Sequence, residues 1–246
     1  CIALLNTNVN MLDVLHIEVD IAHRNRHIGR TLLGKVQEEA TKLGAKTFSF
    51  IYPLDQPETV AIEKILDANQ WKGSRKFLIR ALFDPSTFKF NAPIMHLQYE
   101  YPPGYREFLW KDLKESQRED LLHRERQGHF SRAISPFREE EIMEPLNSLG
   151  LEYEGRVVGW LINHHIDPDI IRYTSFYIEP SLKYKGLAMK LMSDSLILHG
   201  DLMFHKHGLT EVPYLQVHPS YINFVERRLV PLAEKVTRLQ QRWHTL

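Results

Sequence analysis

Apolar and polar residues alternate with a period of two in several short runs, and this pattern predicts β-strands. The runs are residues 12–21, 46–52, 77–83, 156–165, 172–178 and 213–218, with a weaker one at residues 1–9. Elsewhere the pattern is typical of helices, with apolar residues three or four positions apart. The predicted helices are residues 28–43, 58–69, 112–127, 135–149, 187–198 and 221–243, the last with a kink at Pro231.

The order of these elements predicts an α/β protein. Strand, helix, strand, helix and strand follow one another over residues 12–83, and strands and helices alternate again after residue 156. A Pro-rich stretch at residues 84–104 separates the two series, and we expect a domain boundary near residues 85–93. The sequence therefore predicts two units, residues 1–90 and residues 91–246.

The composition excludes some classes of protein. The chain has 31 Lys and Arg residues against 31 Asp and Glu residues, which argues against a nucleic-acid partner or an anionic membrane partner. The single cysteine, Cys1, rules out an intrachain disulfide and fits a reducing compartment. No apolar run has the length of a membrane span, and we expect a cytoplasmic protein. Because the chain begins with Cys1 and not Met, we also expect a fragment, or a numbering that closes over omitted residues.

Residues 173–194 form the clearest candidate for a binding site. An alternating strand leads through Pro180 and a basic loop to Gly186, and a helix follows. The first N–H groups of a helix have no partner within it, and the helix dipole adds positive charge there. Lys183 and Lys185 contribute further charge, and Gly186 lets a ligand approach the backbone closely. This corner predicts a site for an anion such as a pyrophosphate.

Residues 16–38 repeat the same plan, with a strand, the basic turn from Arg24 to Gly29, and a helix. Both corners resemble the acetyl-CoA-binding motif of the GNAT superfamily of acyl-CoA-dependent N-acetyltransferases. The family motif has Arg or Gln, two residues, Gly, one residue, and Gly or Ala. Residues 183–188 match it with Lys183 in the first position, whereas residues 24–29 have His27 in place of the first Gly.

The resemblance implies two GNAT-like units, each a mixed, mostly antiparallel, twisted sheet flanked by helices. Residues 155–160 resemble the hairpin strand that precedes the family motif. Residues 1–90 would be an incomplete unit without the early strands, and residues 91–246 an acyltransferase domain without the usual last strands.

The resemblance also implies an acetyl-CoA or other acyl-CoA cofactor and a small-molecule or peptide amine as acceptor. The implied cofactor-binding residues of the C-terminal corner are Phe176, Ile178, Lys183, Tyr184, Lys185, Gly186, Leu187, Ala188, Met189 and Ser220. Those of the N-terminal corner are Arg24, Arg26, His27, Ile28 and Gly29.

Acyl transfer to an amine needs a base for the ammonium and an acid for the leaving thiolate. Strand alternation predicts that Tyr173, Ser175, Tyr177 and Glu179 share one face, opposite Thr174, Phe176 and Ile178. We predict Glu179, Tyr177 and Tyr221 as catalytic residues, with His164 and His165 nearby. In the family the acid is often a Tyr in the last helix, where this chain has Arg227 and Arg228, so Tyr221 is the nearest hydroxyl.

Alternatives remain open at this point. The C-terminal corner could be an ordinary strand–turn–helix connection, and the N-terminal one a non-binding copy because of His27. The chain could also be a non-catalytic acyl-CoA-binding or assembly module, or pass the acyl group to a hydroxyl or a carrier-protein thiol. We expect no metal site, since the adjacent His164 and His165 point to opposite faces of a strand. The sequence allows a homodimer.

Overall fold

A computed structural model describes residues 1–6, 8–91, 93, 99–182, 186–217 and 219–246, without the side chains of residues 89–91. The chain divides into two compact units. Unit 1 comprises Cys1–Arg80, Val212–Ile222 and Thr237–Leu246, and unit 2 comprises Ala81–Glu211 and Asn223–Val236. Residues 212–222 and 237–246 thus belong to the compact unit of the N-terminal residues, whereas the sequence-based division keeps them with residues 91–246.

Unit 1 is built on a mixed sheet with two helices. Its strands are β1 (Ile2–Asn6), β2 (Met11–His16), β3 (Thr47–Pro53), and most of β4 (Gly73–Phe83) and β10 (Lys235–Thr245). Helix α1 (Ile28–Lys42) connects β2 to β3, and α2 (Thr59–Ala68) connects β3 to β4. The strand order is β1-β2-β3-β10-β4, with β2 and β3 parallel and the pairs β1–β2 and β3–β10 antiparallel.

The core of unit 1 is built around the aromatic residues of β3. Phe48, Phe50 and Tyr52 are buried, and they pack in one cluster with Leu33 of α1 and Leu66 of α2. Burying an apolar side chain of this size contributes roughly 1.5–3 kcal/mol. The apolar faces of α1 and α2 therefore cover this sheet.

The sequence predicts a helix over residues 221–243, and that prediction is wrong for residues 235–243, which belong to the strand β10. The structure has α6 (Pro219–Phe224), a π-helical turn (Val225–Leu229) and a 3-10 turn (Val230–Leu232), and then β10. Leu, Gln and Arg favour helices in isolation. Between β3 and β4, however, strands on both sides pair with the backbone of β10, and this tertiary pairing outweighs the local preference.

Unit 2 contains five strands of a mixed sheet. Its strands are β5 (Tyr105–Leu109), β6 (Leu149–Tyr153), β7 (Arg156–Asp167), β8 (Ile170–Ile178) and β9 (His207–Pro213). Its helices are α3 (Pro85–Asn91), α4 (Glu115–Arg126) and α5 (Leu187–Leu202). The strands follow in the order β5-β6-β7-β8-β9, and all neighbours are antiparallel except β8 and β9, which are parallel. The expected α/β fold with mixed, mostly antiparallel strand pairing is confirmed.

Apolar side chains of unit 2 form a cluster on each face of this sheet. The α4-side cluster contains Trp110, Leu121, Phe130, Val157, Trp160 and Ile162. The α5-side cluster contains Leu149, Leu151, Val158, Leu161, Leu187 and Leu191. Successive residues of β7 from Trp160 to Ile162 enter alternate clusters, as the period of a strand requires. A strand buried on both faces reads as a continuous apolar run, which is what residues 157–162 show.

Two further element predictions in unit 2 are wrong. Residues 135–149 are not a helix, because only short 3-10 turns occur at Arg132–Ile134 and Glu140–Ile142 before β6 begins. The Glu144 N–H donates instead to the Asn163 carbonyl of β7 at 2.9 Å. The sequence predicts a strand at residues 213–218, but the strand in this region, β9, covers His207–Pro213. Gly208 weakens the strand pattern there, and a Cβ at this position would make only ordinary contacts with Tyr173 and His199.

No helix within the described part of the chain combines the length and the apolar character needed to cross a bilayer. Among the same residues, three or more His, Cys, Asp or Glu side chains do not converge as they do around a metal ion. Cys1 is exposed and is a free thiol.

Candidate functional site

The parallel strands β8 and β9 pair over only part of their length. The paired residues run from Ile170 and His207 to Tyr173 and Thr210, and β8 then continues to Ile178 without a partner in β9. We call the space beside residues 174–178 of β8, beyond this last pair, the strand gap. Backbone N–H and C=O groups that would complete a parallel ladder are available there to a ligand.

A β-bulge at the start of the strand gap changes which side chains share a face. Ser175 pairs with Ile162 of β7 and Tyr173 pairs with Asn163, so Thr174 is the extra residue. After a bulge, side chains no longer follow simple alternation. The prediction that Tyr173 shares a face with Ser175 and Tyr177 is therefore wrong. Tyr173 packs against the α5-side cluster, and Tyr177 packs against the α4-side cluster.

Predicted cofactor-binding residues of β8 do share a face with one another. Phe176 and Ile178 pack on the α5-side cluster, next to the buried Leu187 and Leu191 of α5. Both are only partly buried. This gives the corner between β8 and α5 an apolar wall beneath the start of the helix.

The turn into α5 lies where the sequence predicts a glycine turn that opens a helix. Gly186 is the N-cap of the helix, with φ of 113°, a left-handed value that side chains rarely tolerate. A Cβ added to it would lie 3.2 Å from the ring of Tyr99. The predicted residues Lys183, Tyr184 and Lys185 lie outside the described residues, so their contacts stay a prediction.

The first turn of α5 has donors available for an anion. The Gly186 carbonyl accepts the first helical hydrogen bond, from the Lys190 N–H at 2.8 Å. The N–H groups of Leu187, Ala188 and Met189 therefore have no acceptor within the helix. The Leu187 side chain is buried in the α5-side cluster, and that of Met189 packs on a third cluster around Phe83 and Phe88.

Unit 1 repeats this corner with one difference. His27 is the N-cap of α1 with φ of 59°, and its carbonyl accepts from the Thr31 N–H at 3.0 Å. His27 thus has the same role in the backbone as Gly186, but it carries a side chain. Gly29 is buried, and a Cβ there would lie 2.7 Å from Ile65 of α2.

The parallel pairing next to the unit 1 corner is also short. Strands β2 and β3 pair from Met11 and Thr47 only as far as Val14 and Phe50. The side chains of Arg24, Arg26 and Ile28 are exposed, and the Arg24 Nε donates to the Val19 carbonyl at 3.1 Å. Ligand binding by these residues stays a prediction.

Of the residues predicted as catalytic, Tyr177 and Glu179 lie at the end of β8. The ring of Tyr177 stacks on Trp160 with centroids 4.5 Å apart, and burial together with the charge of Glu179 raises its pKa. The Glu179 carboxylate accepts from Arg156 Nη1 at 2.9 Å and lies 3.7 Å from Arg124 Nη1. Glu179 thus interacts with two guanidinium groups, and these ion pairs connect the end of β8 to α4 and β7.

The remaining predicted residues, Tyr221 and Ser220, begin α6 and belong to compact unit 1. Burial raises the pKa of the Tyr221 hydroxyl. Their part in a site on unit 2 stays a prediction.

Comparison with known proteins bears on the fold. No protein-family model matches the sequence, and no curated protein matches it either. Solved structures do resemble it. A tandem GNAT protein from the clavulanic acid biosynthesis pathway matches with a TM-score of 0.62 and 13% identity, over 95% of this chain and 75% of that one. A GCN5-related N-acetyltransferase from Sphaerobacter thermophilus matches with a TM-score of 0.58 and 14% identity, over 97% and 74%.

A third similar structure is the GCN5-related glucosamine N-acetyltransferase region of a fungal multi-domain GH3 β-N-acetylglucosaminidase. Its TM-score is 0.56 at 12% identity, over 98% of this chain and 30% of that one. The chain has the GNAT fold. At these identities the likeness concerns the fold, and the chemistry must be argued from the side chains of this chain.

Within this GNAT fold, a polar cluster that the strand pattern did not predict lies at the start of the strand gap. The partly exposed Thr174 hydroxyl lies 2.7 Å from His164 Nδ1, and His164 Nε2 lies 2.9 Å from the Arg138 carbonyl. Arg172 Nε donates to Thr174 Oγ1 at 3.0 Å. Strict alternation along β8 predicts Thr174 on the opposite face, and the bulge instead brings its hydroxyl to His164.

Charged groups surround this cluster on the α4 side of the GNAT fold. Arg172 pairs with Glu139, and Arg172 Nη1 lies 4.0 Å from Glu211 of β9. The His164 side chain is buried, with 1% of the residue exposed, and this burial lowers its pKa. His164 is therefore neutral at pH 7.

A second hydroxyl–histidine pair lies on the α5 side. The Tyr173 hydroxyl lies 2.8 Å from His199 Nδ1, and His199 Nε2 lies 2.9 Å from the Lys206 carbonyl. The Asn147 Nδ2 reaches the same hydroxyl at 3.5 Å. Burial lowers the pKa of His199 and raises that of Tyr173. These contacts tie β8 to the last turn of α5.

Proposed function

We propose that the chain transfers an acyl group, acetyl in the simplest case, from acyl-CoA to an amine at the corner between β8 and α5. One observation carries the proposal. The pairing of β8 with β9 ends at Tyr173 and Thr210, and the same strand leads into a helix whose N-cap is the left-handed Gly186. An open strand edge beside a helix N-terminus suits a ligand with an amide-containing arm and a pyrophosphate.

The residues present fit such a cofactor. The N–H groups of Leu187, Ala188 and Met189, which have no acceptor within the helix, would hold the pyrophosphate. The edge of residues 174–178, which has no partner in β9, would bind the amides of the pantetheine arm. Phe176 and Ile178 offer apolar surface next to that edge. When bound, an acyl-CoA supplies an activated thioester, whose acyl carbon exchanges its bond to sulfur for a bond to the amine nitrogen.

The chain itself must bring a neutral amine to that position. An ammonium has no lone pair, so a base near the acceptor is required. The strand gap places Thr174, the neutral His164 and the Arg172–Glu139 pair at one end of the open edge. The acceptor would enter on the α4 face, where these polar groups lie.

We assign the activity to unit 2 and not to unit 1. In unit 1 the helix N-cap is His27, whose side chain lies where Gly186 has none. A Cβ at this position obstructs the close approach of a phosphate to the backbone. Unit 1 keeps the geometry of the corner, and we propose that it serves as a structural copy.

The test measures acetyl-CoA binding by calorimetry and thiol release with a panel of amines. We expect Gly186→Val to weaken binding at least tenfold, because the side chain obstructs the helix N-terminus and strains a left-handed backbone by about 1–2 kcal/mol. Gly128→Val is the matched control. It also replaces a positive-φ glycine of unit 2, but open space surrounds that position.

Loss of binding in both variants would mean that strain alone is responsible, and intact binding in Gly186→Val would contradict the assigned site. Acetyl-CoA binding without thiol release for any amine would instead support a non-catalytic binding module. An acceptor that is a hydroxyl or a carrier-protein thiol is tested in the same assay.

A further inference from the structure

The bulge at Thr174 brings together a hydroxyl, a buried imidazole and a backbone carbonyl in one line. Thr174 Oγ1, His164 Nδ1, His164 Nε2 and the Arg138 oxygen are joined by contacts of 2.7 Å and 2.9 Å on either side of the ring. A carbonyl oxygen only accepts hydrogen bonds, so His164 Nε2 must carry a proton. In the neutral ring Nδ1 is then unprotonated and accepts from the Thr174 hydroxyl.

The contacts of Thr174 Oγ1 leave one of its lone pairs open. Arg172 Nε donates to this oxygen at 3.0 Å, and the Arg172 carbonyl lies 3.3 Å from it. The single hydroxyl proton goes to the nearer acceptor, His164 Nδ1 at 2.7 Å. A hydroxyl oxygen has two lone pairs, so it can accept one more hydrogen bond. Thr174 is partly exposed at the start of the strand gap, whereas His164 is buried. An acceptor amine can therefore reach the hydroxyl but not the imidazole.

We propose that Thr174 and His164 form a proton relay, in which Thr174 contacts the amine and His164 acts through it as the base. The proposal rests on the acyl-transfer function argued above. Thr174 is the catalytic residue, because it touches the substrate. His164 is a positioning residue that fixes the Thr174 hydroxyl and takes its proton.

The proton balance is simple. The ammonium gives one proton to Thr174 Oγ1 while that oxygen passes its own proton to His164 Nδ1. The neutral amine then forms the C–N bond as the C–S bond breaks, and its second proton goes to the leaving thiolate. The imidazolium of His164 returns its proton to solvent through Thr174, so no further reactant is needed.

Several charged groups face the relay and set the pH at which it works. Burial lowers the pKa of His164, which keeps it ready to accept a proton at neutral pH. The facing groups are Arg138 and Glu139 in the loop before β6, Arg172 on β8, and Glu211 of β9, which lies against Arg172. The positive charge of Arg172 beside the amine is offset by its two carboxylate partners.

The kinetic test compares Thr174→Val, which has nearly the same shape, with Thr174→Ser, which keeps the hydroxyl. In the wild type we expect kcat/KM to fall at acidic pH as His164 becomes protonated. Thr174→Val should lose roughly 100- to 10,000-fold in kcat/KM together with this inflection, and Thr174→Ser should restore both to within about tenfold. Tyr173→Phe is the control, since it removes the neighbouring hydroxyl–histidine pair on the other face and should keep the inflection.

A second measurement uses no substrate. In ¹⁵N-histidine NMR of the whole chain, assigned with His164→Asn, we expect His164 at pH 7 to be neutral and protonated only on Nε2. A proton on Nδ1, or an imidazolium at pH 7, would overturn the relay. So would Thr174→Val with the rate and pH profile of the wild type. If wild-type protein neither binds acetyl-CoA nor acylates any amine, the proposed function itself fails, and the relay fails with it.

Discussion

At the scale of single residues, Glu107 is a titratable group held in an unusual environment. Its carboxylate accepts from the Tyr101 hydroxyl at 2.7 Å, and Asp194 of α5 lies beside it with Lys190 Nζ 2.6 Å from the Asp194 carboxylate. Burial and the neighbouring Asp194 raise the pKa of Glu107 from 4.5 to about 7. The native state therefore keeps the Glu107 proton to a higher pH than the unfolded chain does.

The raised pKa of Glu107 predicts how the stability of the protein depends on pH. Where the native state binds more protons, the free energy of unfolding falls as pH rises, here from about 4.5 to about 7. Because Glu107 is only partly buried, we expect the loss to be on the order of 1 kcal/mol. Glu107→Gln stays neutral and should remove that part of the pH dependence, measured by urea unfolding at pH 5 and pH 8.

Glu119→Gln on the exposed face of α4 is the control, and it should leave the pH dependence of the wild type unchanged. If Glu107→Gln lost as much stability between the two pH values as the wild type, the raised pKa would be ruled out as its cause.

At the residue scale, the sequence predicts a feature only where the residues that cause it are close together in the chain. The helix start at Gly186 follows from a glycine between a strand and a helix, and the structure has the N-cap of α5 there. The role of Thr174 could not be predicted, because it depends on a bulge against β7 that shifts the pairing by one residue. The paired carboxyls of Glu107 and Asp194 are 87 positions apart in the chain (194 − 107) and meet only in the folded state.

At the scale of elements, β10 depends on Arg242. This residue is nearly buried, and its guanidinium binds Glu63 and the Trp71 carbonyl and lies 2.7 Å from the Asp67 carboxylate. These contacts connect the last strand to α2 and to the loop that follows it. A buried guanidinium holds them only while its charge is balanced by the carboxylates.

We expect Arg242→Met, which keeps the length but not the charge, to destabilise the protein by about 2 to 4 kcal/mol. Arg238→Met on the same strand is the matched control. Arg238 is 4.0 Å from Asp55 with both side chains partly exposed, and its loss should cost less than about 1 kcal/mol. Equal losses for the two variants in urea unfolding would show that the buried contacts of Arg242 do not stabilise β10.

Elements were predictable where pattern and tertiary pairing agree. The sequence predicts α1, α2, β3 and β7 within a few residues, since each has an apolar face that matches its own period. β10 was missed because its pairing partners, β3 and β4, lie more than 150 positions earlier in the chain. β9 was misplaced because Gly208 interrupts its apolar pattern, although the strand itself pairs in parallel with β8.

At the scale of the whole molecule, the chain carries two similar corners with one chemical difference between them. Each has a parallel strand pair that ends early and a helix that begins at a left-handed residue. A left-handed histidine is uncommon but tolerated, so the backbone survives the replacement of glycine in unit 1. We expect that the close approach of a phosphate does not survive it, because His27 has a side chain at that point.

This difference predicts that one acetyl-CoA binds per chain. Calorimetric titration should give a stoichiometry near one. Gly186→Val should abolish the heat of acetyl-CoA binding, whereas His27→Asn should leave both stoichiometry and affinity unchanged. Asn tolerates the left-handed conformation, so this variant changes the side chain without straining the N-cap. A stoichiometry of two, or a loss of binding in His27→Asn, would mean that the corner of unit 1 binds the cofactor despite its side chain. In that case a Cβ at the N-cap would not be what separates a working corner from a structural one.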